Sequence, residues 1–205
     1  DSDTLAKLKI NILELGYSDE IRKDVTNKKY QEELDYIVTF EKRNKFLTNL
    51  AIDQKGNTLV LFQYVEKHGK VLYDMIRSKV DSNRKVFFVS GETATADREA
   101  IRTITENQKN AIVVASMGVF STGVNIRNLH NIVFSSPSKS QIRVLQSIGR
   151  GLRKADDGSA TKLFDIVDDM QWKSKKNYVY THGRERIKIY DRERFEYKIF
   201  PIPLC

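Results

Sequence analysis

Short apolar runs bounded by polar turns recur along the middle of the chain and predict β-strands. Five of them are continuous and rich in β-branched residues: Thr58–Phe62, Val86–Val89, Ala111–Ala115, Asn131–Phe134 and Leu163–Val167. Apolar runs of this length without polar alternation are typical of strands that are buried on both faces of a parallel sheet.

The segments between these runs are long enough for helices and carry apolar residues at helical spacing: Tyr64–Lys79, Thr95–Asn107 and Ser138–Arg153. Strands that alternate with helices predict βαβ units joined by right-handed crossovers. We therefore expect an α/β fold with an open, mainly parallel sheet that is flanked by helices.

The two ends of the chain differ from this middle and divide it into a lead-in from a preceding domain (1–56), a core domain (57–170) and a tail (171–205). The lead-in predicts a strand, two helices and a turn, in this order: Leu8–Leu15, Asp19–Asp35, Arg43–Ile52 and Gln54–Asn57. The basic, aromatic tail predicts a terminal helix packed on the core domain. Its aromatic side chains either stack on bases or pack into the core.

The composition narrows the classes of protein that fit. The chain has 205 residues, of which 40% are hydrophobic, and it contains no run approaching the roughly 20 apolar residues of a membrane span. The single cysteine, Cys205, excludes an intrachain disulfide and fits the reducing cytoplasm, and three histidines disfavour a metal site. The net charge of +8 favours a polyanionic partner. Because the first residue is not Met, we expect a fragment of a longer protein.

The segment Gln146–Arg153 is the strongest candidate for chemistry. On a helix, positions i, i+4 and i+7 fall within about 60° of one another, so Gln146, Arg150 and Arg153 share one face. Two guanidinium groups on one edge match the fork geometry that grips phosphate oxygens. A solvated basic helix is the alternative, but the full Q-x-x-G-R-x-x-R pattern favours a phosphate site.

A second candidate is the loop within Ala115–Ile126. It follows a predicted strand and therefore lies at the carboxyl edge, where open α/β sheets bind ligands. Gly123 allows close backbone approach, while Ser121 and Thr122 offer hydroxyl and amide groups to phosphates. An ordinary loop after a strand is the alternative interpretation.

Taken in order, four segments resemble the motifs of the second RecA-like domain of superfamily 2 helicases. Leu59–Tyr64 resembles motif IV, Ser121–Ile126 motif V and Gln146–Arg153 motif VI, while Val89–Arg98 resembles the strand-to-helix segment that touches the nucleic-acid backbone. The resemblance implies a RecA-like fold and an ATP-dependent DNA helicase.

The same resemblance implies a role for individual residues. Arg150 and Arg153 match the arginine fingers that stabilise charge on the γ-phosphate, and Gln146 matches the residue beside them. The resemblance implies that two motif V positions, Gly123 and Asn125, lie near the nucleotide. It also implies that four positions hold the DNA backbone: Gly91, Arg98, Ser121 and Thr122. The DEAD-box form usually carries Asp where this chain has Asn125.

Three further segments resemble, within this superfamily, the carboxyl-terminal part of phage DNA repair helicases: Tyr17–Glu20, Phe164–Asp169 and Lys175–Tyr190. This resemblance implies an enzyme of DNA repair, recombination and replication in the host cytoplasm. It would act on branched or duplex DNA, reversing forks, migrating junctions and removing RNA–DNA hybrids.

Two motifs of a complete motor do not occur in this sequence, namely G-x-x-x-x-G-K-[ST] and the D-E-x-[DH] box. We therefore expect an amino-terminal P-loop domain of the same protein to hold most of the ATP and Mg²⁺, and we expect the chain alone not to hydrolyse ATP. Two other classes stay open. One is a pure nucleic-acid-binding module, and the other is an interaction domain that docks through its basic tail.

Overall fold

A computed structural model describes residues 8–120, 126–151 and 160–205 of this protein, without the side chains of residues 120 and 147–151. The described residues form a seven-stranded sheet in which every pair of neighbouring strands is parallel. The order across the sheet is β3-β4-β2-β5-β6-β1-β7. In chain order the strands are β1 (Leu8–Gly16), β2 (Thr58–Phe62), β3 (Val86–Val89), β4 (Ile112–Ser116), β5 (Asn131–Phe134), β6 (Thr161–Asp169) and β7 (Glu196–Pro203).

Helices flank this sheet on both sides. Those of the described residues are α1 (Asp19–Val25), α2 (Tyr30–Thr39), α3 (Glu41–Asp53), α4 (Lys70–Lys79), α5 (Thr95–Glu106), α6 (Met117–Phe120), α7 (Gln141–Gly151) and α8 (Tyr178–Arg192). A π-helical turn, Val65–Gly69, leads into α4. Within the described parts of the chain, no helix has the length and apolar character needed to cross a membrane.

The direction of each crossover decides which face of the sheet its helices cover, because crossovers between parallel strands are right-handed. The chain moves one way across the sheet from β1 to β2 and on to β3, and the opposite way at every later step. Helices α1–α4 therefore cover one face, here called the first face, and α5–α8 cover the second face.

Each strand contributes alternate side chains to two separate cores. In β2, Val60 and Phe62 pack in the core under the first face, whereas Leu59 and Leu61 pack in the core under the second face. All four side chains are buried, which explains why this strand is apolar without alternation. The predicted open, parallel α/β sheet is thereby confirmed.

The five strands predicted from the apolar runs are all present, each within two residues of its expected limits. The helices expected at Tyr64–Lys79 and Thr95–Asn107 are also present, the first with a π-helical start. The third, expected at Ser138–Arg153, begins at Gln141, and the end of that range lies outside the described residues.

One helix expected in the lead-in, near Asp19–Asp35, is wrong as a single element. The backbone N–H of Lys28 donates to the carbonyl of Val25, which closes a turn at the end of α1. The Glu32 carboxylate then accepts a hydrogen bond from the backbone N–H of Lys29, at the N-cap of α2. Two short helices therefore replace one long helix.

The tail contains a strand that the sequence analysis did not predict. The expected terminal helix is present as α8, but β7 then returns to pair with β1 at the edge of the sheet. Two prolines, Pro201 and Pro203, argue against a strand in sequence because proline cannot donate to a ladder. The N–H of Leu204 points to Gly16, so by alternation the nitrogens of both prolines point away from β1, where no donor is needed.

The strand predicted at Leu8–Leu15 lies between β6 and β7. The sheet therefore takes strands from all three segments of the predicted division, 1–56, 57–170 and 171–205.

Candidate nucleic-acid and nucleotide interface

A compact turn of residues 90–93, called here the Gly91 turn, follows β3 at the carboxyl edge of the sheet. The backbone N–H of Thr93 donates to the carbonyl of Ser90 at 3.1 Å. The hydroxyl oxygens of the same two residues accept from the backbone, with Thr93 Oγ1 bound by Ser90 N–H at 3.0 Å and Ser90 Oγ bound by Glu92 N–H at 3.3 Å. These local bonds fix the conformation of the segment that resembles a nucleic-acid contact.

The side chain of Arg98 closes this turn from the first turn of α5. Its Nε donates to the carbonyl of Thr93 at 2.8 Å, and its Nη2 donates to the carbonyl of Gly91 at 2.8 Å. The structure therefore brings Gly91 and Arg98 together. It also gives Arg98 a role that sequence alone does not show, since the guanidinium group holds the turn in place.

Gly91 is exposed, and neither packing nor backbone conformation requires a glycine there. A Cβ atom added at this position would meet no heavy atom within 4 Å, and its φ lies outside the left-handed range. The absence of a side chain leaves the backbone of the turn open to close approach by a ligand.

The connection from β5 to α7 is clamped by buried polar groups. Ser135 Oγ donates to the carbonyl of Leu61 at 2.6 Å, and Arg43 Nη1 donates to the carbonyl of Ser135 at 2.7 Å. Gln141 Nε2, in the first turn of α7, donates to the carbonyl of Ser136 at 3.1 Å. These bonds set where α7, the helix that carries position 150, leaves the sheet.

His68 belongs to the same clamp. Its Nε2 lies 3.0 Å from Asn44 Oδ1, and its Nδ1 lies 2.6 Å from Ser136 Oγ. The Asn44 amide nitrogen donates to the carbonyl of Val38, so Asn44 Oδ1 accepts from Nε2–H and Nδ1 accepts from the Ser136 hydroxyl. Burial, with a further contribution from the charge of Arg43, lowers the pKa of His68 to about 3, so the ring is neutral at pH 7.

Gln146 is the residue of the Q-x-x-G-R-x-x-R pattern whose side chain is described. Its Nε2 lies 3.2 Å from Glu193 Oε1, at the carboxyl-terminal end of α8. Gln146 therefore lies on the second face, apart from the Gly91 turn at the carboxyl edge. Position 150 lies one turn further along α7, and its side chain is not among those that the structure describes.

The remaining predicted positions lie outside the described residues, namely Ser121, Thr122, Gly123, Asn125 and Arg153. Their assignments stay predictions. Within the described parts of the chain, no group of three or more His, Cys, Asp or Glu side chains could hold a metal ion.

Two buried ion pairs were missed by the sequence analysis, although both partners belong to segments that it singled out. In β6, Asp165 accepts from Arg186 at 2.8 and 2.9 Å and from the hydroxyl of Tyr190 at 2.6 Å. Asp168 accepts from Arg43, with distances of 2.8 and 3.1 Å. Acidic residues inside an apolar strand signal buried partners, but spacing cannot say which arginines these are.

Comparison with protein families adds the deciding observation. The family model described as helicase conserved C-terminal domain matches residues 41–155, which include β2–β5 and α7. The chain belongs to this family. The resemblance to the second RecA-like domain of superfamily 2 helicases is thereby confirmed.

Individual members of the helicase family show how far the similarity extends. The ATP-dependent DNA helicase UvsW of Enterobacteria phage T4 is 40% identical over 206 residues, covering 94% of this chain and 40% of that protein. The crystal structure of T4 UvsW superimposes with a TM-score of 0.84 and 39% identity, covering 98% of this chain and 43% of that one. The C-terminal domain of the DEAD-box protein Dbp5 shares the fold at 13% identity, with a TM-score of 0.57. The chain thus spans about two fifths of the length of UvsW.

Proposed function

We propose that this chain is the carboxyl-terminal motor domain of an ATP-dependent DNA helicase that moves the branch points of branched DNA. In this proposal it supplies arginine fingers and contacts to the DNA backbone. An amino-terminal P-loop domain of the same protein supplies most of the ATP site. The similarity to UvsW, named as an ATP-dependent DNA helicase, supports this assignment.

The observation that carries the proposal is the Gly91 turn. Arg98 holds the turn through two carbonyl groups, and Gly91 leaves its backbone open at the edge where α/β sheets bind ligands. A phosphate group can approach such a backbone closely, and contacts of this kind position a nucleic acid without reading its sequence. Ser121 and Thr122, in the loop after β4, are proposed to extend this backbone contact.

Motif VI supplies the second part of the mechanism. Arg150 and Arg153 are proposed to stabilise the charge that develops on the transferred γ-phosphate, with Gln146 beside them. Gly123 and Asn125 are proposed to lie near the nucleotide. The buried clamp at the start of α7 fixes the helix whose far end carries Arg150, which is the precision that a catalytic arginine requires.

Among the described residues, the carboxylates of β6 fit Mg²⁺ poorly. The buried carboxylates of β6 are already committed, Asp165 to Arg186 and Asp168 to Arg43. The acidic ligands of Mg²⁺ are therefore expected from the P-loop domain, together with the cradle for the β-phosphate.

Branched DNA, duplex DNA and RNA–DNA hybrids are the proposed substrates, with fork reversal and junction migration as the proposed activities. These proposals rest on the resemblance to phage DNA repair helicases given by the sequence, and the similarity to UvsW over nearly the whole chain supports their DNA helicase part.

Experiments with the purified chain test whether ATP hydrolysis requires both this domain and the P-loop domain. The chain is expected to show no ATP hydrolysis alone, and addition of the separately purified P-loop domain is expected to restore DNA-stimulated hydrolysis. Arg153→Ala in the chain should abolish that recovery. ATP hydrolysis by the chain alone, unchanged after further purification and in the Arg150→Ala and Arg153→Ala variants, would overturn the proposal.

A further inference from the structure

The tail carries an exposed basic segment just before α8. Tyr180 and Tyr190 of α8 are buried in the core under the second face, so they are not free to stack on bases. Four consecutive residues before α8 are all exposed, and three of them are lysines: Lys173, Ser174, Lys175 and Lys176. They form, with Trp172, the segment called here the basic turn.

The basic turn has a defined shape. The backbone N–H of Trp172 donates to the carbonyl of Lys175 at 3.0 Å, and the N–H of Lys175 donates back to Trp172 at 3.0 Å. Lys173 adopts a positive φ of 53°, a conformation that costs free energy in a residue with a side chain. A glycine would relieve this cost, yet the chain places a lysine there.

Hydrogen-bonded anchors hold both ends of the basic turn, a partly exposed one at its start and a buried one at its end. At its start, Arg22 Nη1 donates to the carbonyl of Gln171 at 2.9 Å and to Asp169 at 3.0 Å. At its end, Asn177 Nδ2 donates to the carbonyl of Asp168 at 2.9 Å and to the buried carboxylate of Glu33 at 3.2 Å. The lysines therefore extend from a fixed platform rather than from a free tail.

Positive charge is concentrated around this platform. The ammonium groups of Lys23 and Lys173 lie 5.4 and 5.9 Å from the centre of the Trp172 ring. A polar pocket of about 180 Å³ beside the turn is lined by Lys28, Lys175 and Lys176.

The acidic groups beside the turn are already bound. Asp169 pairs with Arg22 at 3.0 Å. Glu33 accepts from the backbone N–H groups of Tyr178 and Val179, at the start of α8, at 3.1 and 2.8 Å. Asp169 is thus neutralised by Arg22, and the hydrogen bonds of Glu33, which also lines the pocket, go to amide groups rather than to the lysines of the basic turn.

We propose that the basic turn is a second contact for the phosphodiester backbone of a nucleic acid, separate from the helicase motifs. The nucleic-acid identity of the ligand rests on the proposed function. Three exposed lysines within four residues, one of them at a strained φ, fit a polyanion, since a bound phosphate chain offsets the repulsion between their charges. Because the ammonium groups of Lys23 and Lys173 already lie beside the Trp172 ring, the proposed contact is electrostatic rather than one of base stacking.

The sheet places the basic turn within reach of a nucleic-acid strand that is bound at the Gly91 turn. The turn follows β6 and the Gly91 turn follows β3, both at the carboxyl edge, four strand spacings apart. In register, Val89 at the end of β3 is level with Asp165, so β6 extends further along the strand axis, to Asp169. At about 4.8 Å per spacing and about 3.3 Å per residue, the carboxyl ends of β3 and β6 are roughly 23 Å apart. A stacked nucleic-acid strand with a rise of about 3.4 Å per nucleotide covers this distance in roughly seven nucleotides.

The test uses the full-length protein with Lys173→Gln, Lys175→Gln and Lys176→Gln combined. Fluorescence anisotropy measures binding to a single-stranded oligonucleotide over a range of salt concentrations. The logarithm of the binding constant falls with the logarithm of the salt concentration, and each phosphate contact contributes about 0.7 to the steepness of that fall. Loss of three contacts should therefore make the slope shallower by about 2. The double variant Lys175→Gln with Lys176→Gln leaves Lys173 unchanged and should make the slope shallower by about 1.4.

A matched control removes the same charge at the opposite edge of the sheet. Lys55, Lys85 and Lys109 are exposed and precede β2, β3 and β4 at their amino ends. Replacing all three with Gln should leave the slope within about 0.5 of the wild-type value.

Equal slopes for the two triple variants, or a wild-type slope in the basic-turn variant, would overturn the inference. So would loss of binding to poly-glutamate without loss of binding to DNA, because the ligand would then be an acidic protein. If the wild type shows DNA-stimulated ATP hydrolysis and the basic-turn variant keeps its slope, only this inference fails. If the variant loses slope but DNA never stimulates hydrolysis, the helicase proposal fails and the polyanion surface stands.

Discussion

Arg43 and Asp168 form a two-pronged ion pair in which both side chains are fully buried, with Nε–Oδ1 at 2.8 Å and Nη2–Oδ2 at 3.1 Å. The pair joins α3 to the carboxyl end of β6, and the hydroxyl of Tyr17 donates to the same carboxylate at 2.6 Å. Arg43 also binds the carbonyl of Ser135, so the pair connects the two strands that flank α7 in sequence.

Asp168→Asn should destabilise the protein by about 3–5 kcal/mol, because it leaves a guanidinium charge buried without its counterion. Asp169→Asn is the matched control. That carboxylate is 24% exposed and pairs with the partly exposed Arg22, so its loss should cost about 1 kcal/mol or less. Urea denaturation of the two variants measures the difference. Equal midpoints would show that the buried pair contributes no more than the surface pair.

His68 makes the stability of the fold depend on pH. Its pKa falls from 6.5 to about 3 on folding, so the folded state disfavours the proton. The contribution of the neutral His68 ring to the free energy of unfolding is complete above pH 6.5. It is lost as the pH falls towards 3, by about 1.4 kcal/mol per pH unit. Between pH 6.5 and 5 the wild type should therefore lose about 2 kcal/mol more than His68→Gln.

The control for this measurement is His182→Gln, because that ring is only partly buried and burial also lowers its pKa. Denaturation curves at pH 6.5 and pH 5 give the free energy of unfolding for each variant. If His68→Gln retains the full pH dependence of the wild type, the ring is not the group responsible.

Gly91→Ala separates binding from folding. Since a Cβ atom at position 91 meets nothing within 4 Å, the variant should unfold at the wild-type temperature. DNA affinity should fall about tenfold on unrelated sequences, because the methyl group keeps phosphates from the backbone. Gly183→Ala is the contrast, since its Cβ would lie 2.8 Å from Val167 and should destabilise the fold. Wild-type affinity of a well-folded Gly91→Ala variant would remove Gly91 from the site.

Local patterns predicted those parts of the fold in which burial alone decides the structure. Strands such as Thr58–Phe62 are apolar on both faces, so their sequence indicates a central position in a parallel sheet. β7 could not be predicted in the same way. Its prolines are tolerated only because it lies at the sheet edge, a fact of tertiary pairing that the sequence of the strand does not carry.

The candidate site shows the same limit. The association of Gly91 with Arg98 followed from their place in one strand-to-helix segment, seven residues apart. The clamp on α7 depends on His68 and Ser136, which meet through the fold and share no local pattern. Long-range polar pairs of this kind require the three-dimensional arrangement to identify them.

The most direct test of the central claim is steady-state ATP hydrolysis by the full-length Arg150→Ala variant at saturating DNA. An arginine finger contributes roughly 10³–10⁵ to the rate, so hydrolysis should fall at least about a hundredfold while nucleotide affinity changes far less. Arg143→Ala, at an exposed position on the same helix, is the matched control and should stay within about threefold of wild type. Hydrolysis by Arg150→Ala within about threefold of the wild-type rate, instead of this loss, would contradict the assignment of a finger.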